Sequence, residues 1–156
     1  MKPRLDYAAE APEVRAILLD LWKKVSALGL DEQLLRLVYL RASQINGCAF
    51  CIDMHAKDMR AAGESEQRVY MMSAWRESPL YDETEKAALA WTEAVTRLEN
   101  REVADEVYDL ARAHFQPADL AKLTLAIVEI NCWNRFNVAF RTTPGGYKPV
   151  ARAKAG

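Results

Sequence analysis

Two cysteines and one histidine are the residues of this chain best suited to chemistry. They lie within RASQINGCAFCIDMHAKDMRAAG, from Arg41 to Gly63, as Cys48, Cys51 and His55. On a helix, Cys48, Cys51, Ile52, His55, Met59 and Ala62 share one face, while Asp53, Lys57 and Arg60 fall on the other. Both sulfurs and the imidazole therefore point with the apolar stripe, toward a core or an interface. The preceding Asn46-Gly47 breaks a helix. That break sets Cys48 in or beside the first turn of the next one, where unpaired amides favour negative charge, and a thiolate is negative.

A dithiol that reduces peroxides needs a thiolate, a base or polar relay to take its proton, and a second sulfur to resolve the sulfenic acid as a disulfide. Cys51 and His55 are i, i+4 and can meet. Cys48 and Cys51 are i, i+3, within disulfide reach at a helix start. A free cysteine titrates near about 8.5, and a CxxC at a helix N-terminus brings that to roughly 3.5–7.5. Two other readings use the same residues. One is an inert buried cysteine pair with a core histidine. The other is a zinc site of Cys48, Cys51 and His55 with Cys132 as a fourth ligand, although the second ligand pair usual in structural zinc sites is missing. Thioredoxin-type chemistry also uses CxxC, but on a fold with strands.

The elements that must hold these residues read as helices. Pro12 opens one that runs to about Leu28 and stops at Gly29. Asp31 caps EQLLRLVYLRASQI, apolar on most sides and so deeply placed. The cysteine helix stops at Gly63. Ser65 caps a shorter helix to about Trp75, and Asp82 with Glu85 forms an acidic capping box for a helix to about Leu98. Val103 to Phe115 is a further helix. Pro117 opens the last, PADLAKLTLAIVEINCWNRFNVAFR, which ends at Thr143-Pro144-Gly145-Gly146. No segment alternates with period two. The fold class expected is all-α, about seven helices, with the helices around Leu37 and Ile127 as the central packing pair. One domain is expected over residues 1–156, its core at about 13–141 and a basic tail at 142–156. The tail is expected to dock on a neighbouring subunit through Tyr147 and to be disordered beyond.

The chain has 156 residues, half of them apolar, and a formal net charge of −1. No nucleic-acid or membrane footprint is visible in these totals. No apolar run approaches the roughly 20 residues of a membrane span, and the N-terminus lacks the apolar segment of a signal peptide. Three cysteines, an odd number, argue against a secreted disulfide framework. A cytoplasmic location is the expectation.

The words LRASQINGCAFCIDMH, AAGESEQRVYMMSAWRESPLYDETEKAALAWTEAVT and LTLAIVEINCWNRFNVAFR resemble the alkylhydroperoxidase AhpD-like group of the carboxymuconolactone decarboxylase superfamily, over about Asp31 to Tyr147. The resemblance implies an all-helical, homo-oligomeric protein, a trimer or hexamer. By it, Cys51 is the peroxidatic sulfur, Cys48 the resolving one and His55 part of the proton relay. It implies a hydroperoxide substrate, an external dithiol protein as reductant, and no metal or organic cofactor. Two positions depart from the family's best-characterised peroxidase. Arg36 stands where that enzyme has a glutamate, and Phe50 where it has a histidine. Glu129 and Asn134, polar groups on an otherwise apolar helix, are the candidates to complete the relay or wall the site. If buried, Glu129 needs a partner; the plain alternative is a glutamate facing solvent or an interface.

Of the rest, Cys132 reads as a small core hydrophobe. His114 reads as a helix cap or surface residue, and the tryptophans as packing anchors. Asn131, Asn134, Arg135 and Asn137 give the last helix a polar stripe, for a subunit contact or the site wall. The leading expectation is a thiol-dependent hydroperoxide reductase. The alternatives are a lactone decarboxylase, whose chemistry has no evident need of the sulfur pair, and a non-catalytic zinc-binding or redox-sensing helical assembly module.

Overall fold

Asp31, Ser65 and Asp82 each turn a side-chain oxygen onto the free amides that begin a helix. Asp31 accepts from Leu34 N at 2.8 Å, Ser65 from Arg68 N at 3.2 Å and Asp82 from Glu85 N at 2.8 Å. Glu85 returns the favour by accepting from Asp82 N at 3.0 Å, completing a reciprocal cap. The computed structural model describes residues 2–149, which hold eight α-helices and no strand. In order these are α1 (Tyr7–Glu10), α2 (Pro12–Ser26), α3 (Glu32–Ile45), α4 (Ala49–Ala61), α5 (Glu66–Met71), α6 (Glu83–Arg97), α7 (Asp105–His114) and α8 (Pro117–Phe140). The all-α reading holds. The helix expected to reach Trp75 is α5 followed by a 3₁₀ turn, Met72–Ala74. The additional helix is the single turn α1, which carries too few residues for periodicity to reveal. Its cap is Asp6, which accepts from Ala8 N and Ala9 N.

Helix α3 is the centre, packed against α4, α6 and α8. Its most extensive partner is α6 rather than α8, which corrects the expected central pair. The reason lies in the faces that α3 and α6 present. Val38, Ala42, Ala87, Ala88 and Trp91 join Leu123, Ala126, Ile127 and Ile130 of α8 in one apolar core. Leu37, Leu40, Leu89 and Ala90 join Met59, Met72, Trp75 and Tyr81 in a second. The α3–α6 pair is thus the wall between two cores and is apolar on both sides.

One charged group is sunk into that wall. The Glu93 carboxylate is only 4% exposed. It accepts from Arg41 Nε and Trp75 Nε1, both at 2.8 Å, and from Arg76 Nη1 at 2.7 Å. Burial pushes its proton affinity up, but the donors on Trp75, Arg76 and Arg41 outweigh it and hold the carboxyl below its usual range. The cluster clamps α3 and the 3₁₀ turn onto α6.

The first part of the tail lies on α4 of its own chain. Lys57 Nζ donates to Gly145 O at 3.1 Å and Tyr147 O at 3.2 Å. Gly145 N donates to Asp53 at 3.0 Å, and the Tyr147 hydroxyl to Asp58 at 2.7 Å. The polar face of α4 thereby finds partners. The stretch expected to be disordered lies, beyond Pro149, outside the described residues.

Glu93→Gln should destabilise the fold by about 3 kcal/mol in urea denaturation, because Arg41 keeps its charge in a buried place without a counter-charge. Arg76→Ala should lose about 1 kcal/mol or less, since that side chain is mostly exposed.

Candidate active site

The site begins with the turn between α3 and α4. Gly47 has φ +64°, a conformation that a β-carbon opposes, and it lets the chain reverse within two residues. Cys48 N then donates back to Ser43 O at 3.0 Å. Asn46 fastens the turn to α8: its Nδ2 lies 2.9 Å from both Asn131 Oδ1 and Asn134 Oδ1, and 2.9 Å from Ala42 O. Asn134 Nδ2 completes the tie by donating to Ser43 Oγ at 3.0 Å. Asn134 therefore bonds to the turn that presents Cys48.

Cys48 is the N-cap residue of α4 and Cys51 sits one turn in. The two are disulfide-bonded, with Cα atoms 5.3 Å apart, and both are 1% exposed. Each sulfur has its own N–H donor. Cys48 Sγ accepts from Cys51 N at 3.3 Å, a free amide of the helix start. Cys51 Sγ accepts from Asn137 Nδ2, on α8, at 3.4 Å.

His55 lies one turn beyond Cys51, buried, with its ring 5.3 Å from that of Tyr39 on α3. Burial pushes its pKa down to about 4, so the imidazole is neutral at ordinary pH. Glu129 is buried at 1% exposure, so it does not face solvent. Burial pushes its carboxyl up to about 7, a rise that the Tyr39 hydroxyl and the Trp133 indole beside it partly restrain. The same desolvation, with the Glu129 charge added, raises the Tyr39 hydroxyl well above its ordinary value. Tyr39 and Glu129 are thus neighbours, yet no hydrogen bond of normal geometry joins them. Tyr39 Oη, His55 Nε2 and both Glu129 carboxyl oxygens are buried without a hydrogen-bond partner among the described residues. Cys51, His55, Tyr39 and Glu129 run from α4 across α3 to α8 as a line of titratable groups.

Other candidates fall elsewhere. Arg36 makes a surface pair with Glu32 at 2.9 Å, and Phe50 is half-buried. Cys132 is a free thiol, half-buried and not the fully buried core residue expected. His114 ends α7, 3.2 Å from Thr84 Oγ1. Among the described residues no three His, Cys, Asp or Glu side chains are grouped to hold a metal ion. No described helix is long and apolar enough to cross a membrane.

Sequence reasoning named Asn137 only as part of a stripe, and it passed over Tyr39. For Asn137 the signal was present: asparagines at 131, 134 and 137 line one side of an apolar helix, and the last of them meets the sulfur. For Tyr39 there was none, because a tyrosine in LLRLVYL reads as core.

The model of the carboxymuconolactone decarboxylase family matches residues 12–94. The chain belongs to that family. It is 41% identical to the Bacillus subtilis protein YdfG over 139 residues, covering 89% of this chain and 95% of that one. It is 30% identical to Escherichia coli YnjA over 118 residues, 76% of this chain and 64% of that one. Both relatives are themselves described as uncharacterized. A solved Agrobacterium tumefaciens protein of unknown function, described as a candidate antioxidant defence protein AhpD, superposes with a TM-score of 0.90 at 44% identity, over 94% of this chain and all of that one. The debrominase Bmp8 shares the fold, with a TM-score of 0.79 at 19% identity, over 88% of this chain and 74% of that one. The architecture is therefore AhpD-like.

Burial of two titratable groups gives the stability of the fold a pH signature. Between about pH 4.5 and 7 the folded protein holds a Glu129 proton that the unfolded chain releases, so this contribution is full below 4.5 and lost as pH rises to 7. His55 acts oppositely: its contribution is full above about 6.5 and lost as pH falls to 4. Over their shared range the two slopes cancel. Glu129→Gln removes one of them. Relative to wild type, its stability in urea should fall by about 1.4 kcal/mol per pH unit as acid is added below pH 7. Parallel pH profiles for the two proteins would show that burial does not hold a proton on Glu129.

Proposed function

We propose that this protein is a thiol-dependent hydroperoxide reductase. The observation that carries the reading is the paired Cys48 and Cys51 at the start of α4, each sulfur with an N–H donor and a buried imidazole one turn on. The AhpD-type description of the Agrobacterium protein agrees with it.

In the reduced protein the Cys51 thiolate attacks the distal oxygen of a hydroperoxide. A sulfur–oxygen bond forms, the O–O bond breaks, and the alkoxide leaves with a proton. Glu129, with a pKa of about 7, is the group suited to supply that proton and to recover it later, with Tyr39 and His55 on the side toward Cys51. This is the role that the family carboxylate absent at Arg36 would have had. Cys48 then attacks the Cys51 sulfenic acid: the S–S bond forms, the S–O bond breaks, and water departs. An external dithiol protein returns the disulfide to two thiols and leaves as a disulfide itself, which fits a reducing compartment such as the cytoplasm. Asn134 acts by holding the turn that aims Cys48. No step calls on a metal or an organic cofactor. Lactone decarboxylation, the reaction in the family's name, would leave the sulfur pair idle.

A homo-oligomer, trimer or hexamer, is part of this reading. Leu125 and Val128 of α8, three residues apart and so on one face, are more than 40% exposed. Light scattering on the full chain tests it.

Cys51→Ser should abolish consumption of hydrogen peroxide and of a bulky organic hydroperoxide, while Cys48→Ser should stop after one turnover and trap the sulfenic acid, seen by mass spectrometry. Unchanged peroxide consumption by Cys51→Ser ends the reading, and lactone turnover in the double Cys→Ser protein would replace it. A second outcome concerns His55. Its ring should titrate near about 4 in the disulfide form and at a higher pH after reduction, because a thiolate one turn away favours the imidazolium. NMR of the ring protons in both redox states measures the change.

A further inference from the structure

Two residues outside the family-model match, which spans 12–94, bear on the sulfur: one touches it and the other holds the first. Asn137 Nδ2 is 3.4 Å from Cys51 Sγ. The other end of the same amide, Asn137 Oδ1, accepts from the Tyr7 hydroxyl at 3.4 Å. Tyr7 belongs to the N-terminal segment, which is strapped to the end of α8. Arg4 N donates to Phe140 O at 3.0 Å and Arg4 Nη1 to Ala139 O at 3.2 Å. The Tyr7 ring packs on Phe136 and Phe140, with centroids 5.2 and 5.7 Å away. Tyr7 and Asn137 are both buried.

We propose that Asn137 is a catalytic residue that favours the ionised Cys51 sulfur by donating an N–H to it, and that Tyr7 is a positioning residue that keeps that N–H aimed at the sulfur. The inference rests on Cys48 and Cys51 being a reactive dithiol, not on which substrate oxidises them.

The physical case is one of supply. A buried thiolate needs a cation or hydrogen-bond donors. The buried titratable groups on the elements packed around Cys51 are Cys48 and His55 on α4, Tyr39 on α3, Glu129 on α8 and Tyr7 on α1. None of these is positively charged at neutral pH in the disulfide form, where burial holds His55 neutral. Of the nearby cations, Lys57 is engaged by Asp53 and the tail, Arg4 by the end of α8 and Arg135 by Asn131, while Arg15 acts on Tyr7 from an exposed position. The backbone amide of Cys51 is given to Cys48. That leaves the Asn137 amide as the donor at Cys51 Sγ. A primary amide can turn over, and the reversed orientation would set its carbonyl oxygen against an anion. A Tyr7 hydroxyl donating to Oδ1 favours the productive orientation. Burial raises the Tyr7 pKa, with Arg15 opposing, so the phenol keeps the proton it donates.

The test uses the full chain with Cys48→Ser and Cys132→Ser, which leaves Cys51 as the sole thiol. The rate of alkylation by iodoacetamide against pH gives the midpoint of Cys51 ionisation. Asn137→Leu should raise that midpoint by about one pH unit, roughly tenfold less thiolate at neutral pH, the effect of losing one hydrogen bond to a charged group. Tyr7→Phe, which keeps the ring packing, should raise it by about half as much. If Asn137→Leu does not fold by circular dichroism, Asn137→Ser gives the same comparison, being too short to reach the sulfur. Midpoints equal to the parent's in the Asn137 and Tyr7 variants overturn the proposal. Peroxide consumption by the wild type is assayed separately. A wild type inert to hydroperoxides with shifted midpoints ends the peroxidase reading alone; an active one with unshifted midpoints ends this inference alone.

Discussion

The hydrogen bonds that tie Asn46 to Asn131 and Asn134 are the constraint on which the site depends. A helix that starts with a cysteine presents its sulfur wherever the preceding turn aims it. Here that turn contains a left-handed glycine and would be soft on its own. The α8 asparagines, both buried, remove the freedom by satisfying the part-buried Asn46 amide. A buried amide left unpaired costs about 1–3 kcal/mol, so the tie is strong because the alternative is poor. From this one junction follow the N-cap position of Cys48, the place of Cys51 against α8, and the direction in which His55 enters the core.

Burial then decides the electrostatics. The chain sinks two carboxylates of contrasting kind. Glu93 is ringed by arginines and an indole and stays ionised, so it serves as a clamp between helices. Glu129 has only a tyrosine hydroxyl and an indole for company, and its proton is held to about pH 7. The difference is in partners and not in depth, since both side chains are nearly inaccessible. A carboxyl that is half-protonated near neutrality is useful for moving protons and poor for holding structure. Glu93 has the opposite virtues.

Much of this was legible in the sequence, and what was missed has a common cause. Helix starts were readable because Asp31, Ser65, Asp82 and Pro117 announce them through local chemistry. The grouping of Cys48, Cys51 and His55 follows from helical spacing alone. Contacts between distant segments leave no such trace. Nothing about Tyr7 in a polar leader indicates that it reaches an asparagine 130 residues away. Nor does Tyr39 within LLRLVYL betray its place between an imidazole and a carboxyl. Glu93 is one acid among several on an amphipathic helix, and only the packing of the fold brings Arg41, Trp75 and Arg76 to it. The contacts of the tail with α4 left no trace for the same reason: their partner face, Asp53 and Lys57, reads as a solvated surface.

The departures at Arg36 and Phe50 can be understood by asking where a carboxyl could stand instead. Position 36 lies on the outer side of α3, and its arginine bonds a glutamate one turn away at the surface. A proton carrier for Cys51 has to come from an inward face. Tyr39, three residues on, has that orientation, with its ring against His55. Across from it α8 contributes Glu129, two turns before the Asn137 amide that meets the sulfur. One helix thus sends three kinds of polar group into the same region: asparagines that fix the turn, an amide that donates to sulfur, and a carboxyl that keeps a proton. A helix so apolar elsewhere can bury all three because other positions on it pack into the core. The polar stripe of α8 is therefore best seen as the second half of the site whose first half is the cysteine helix.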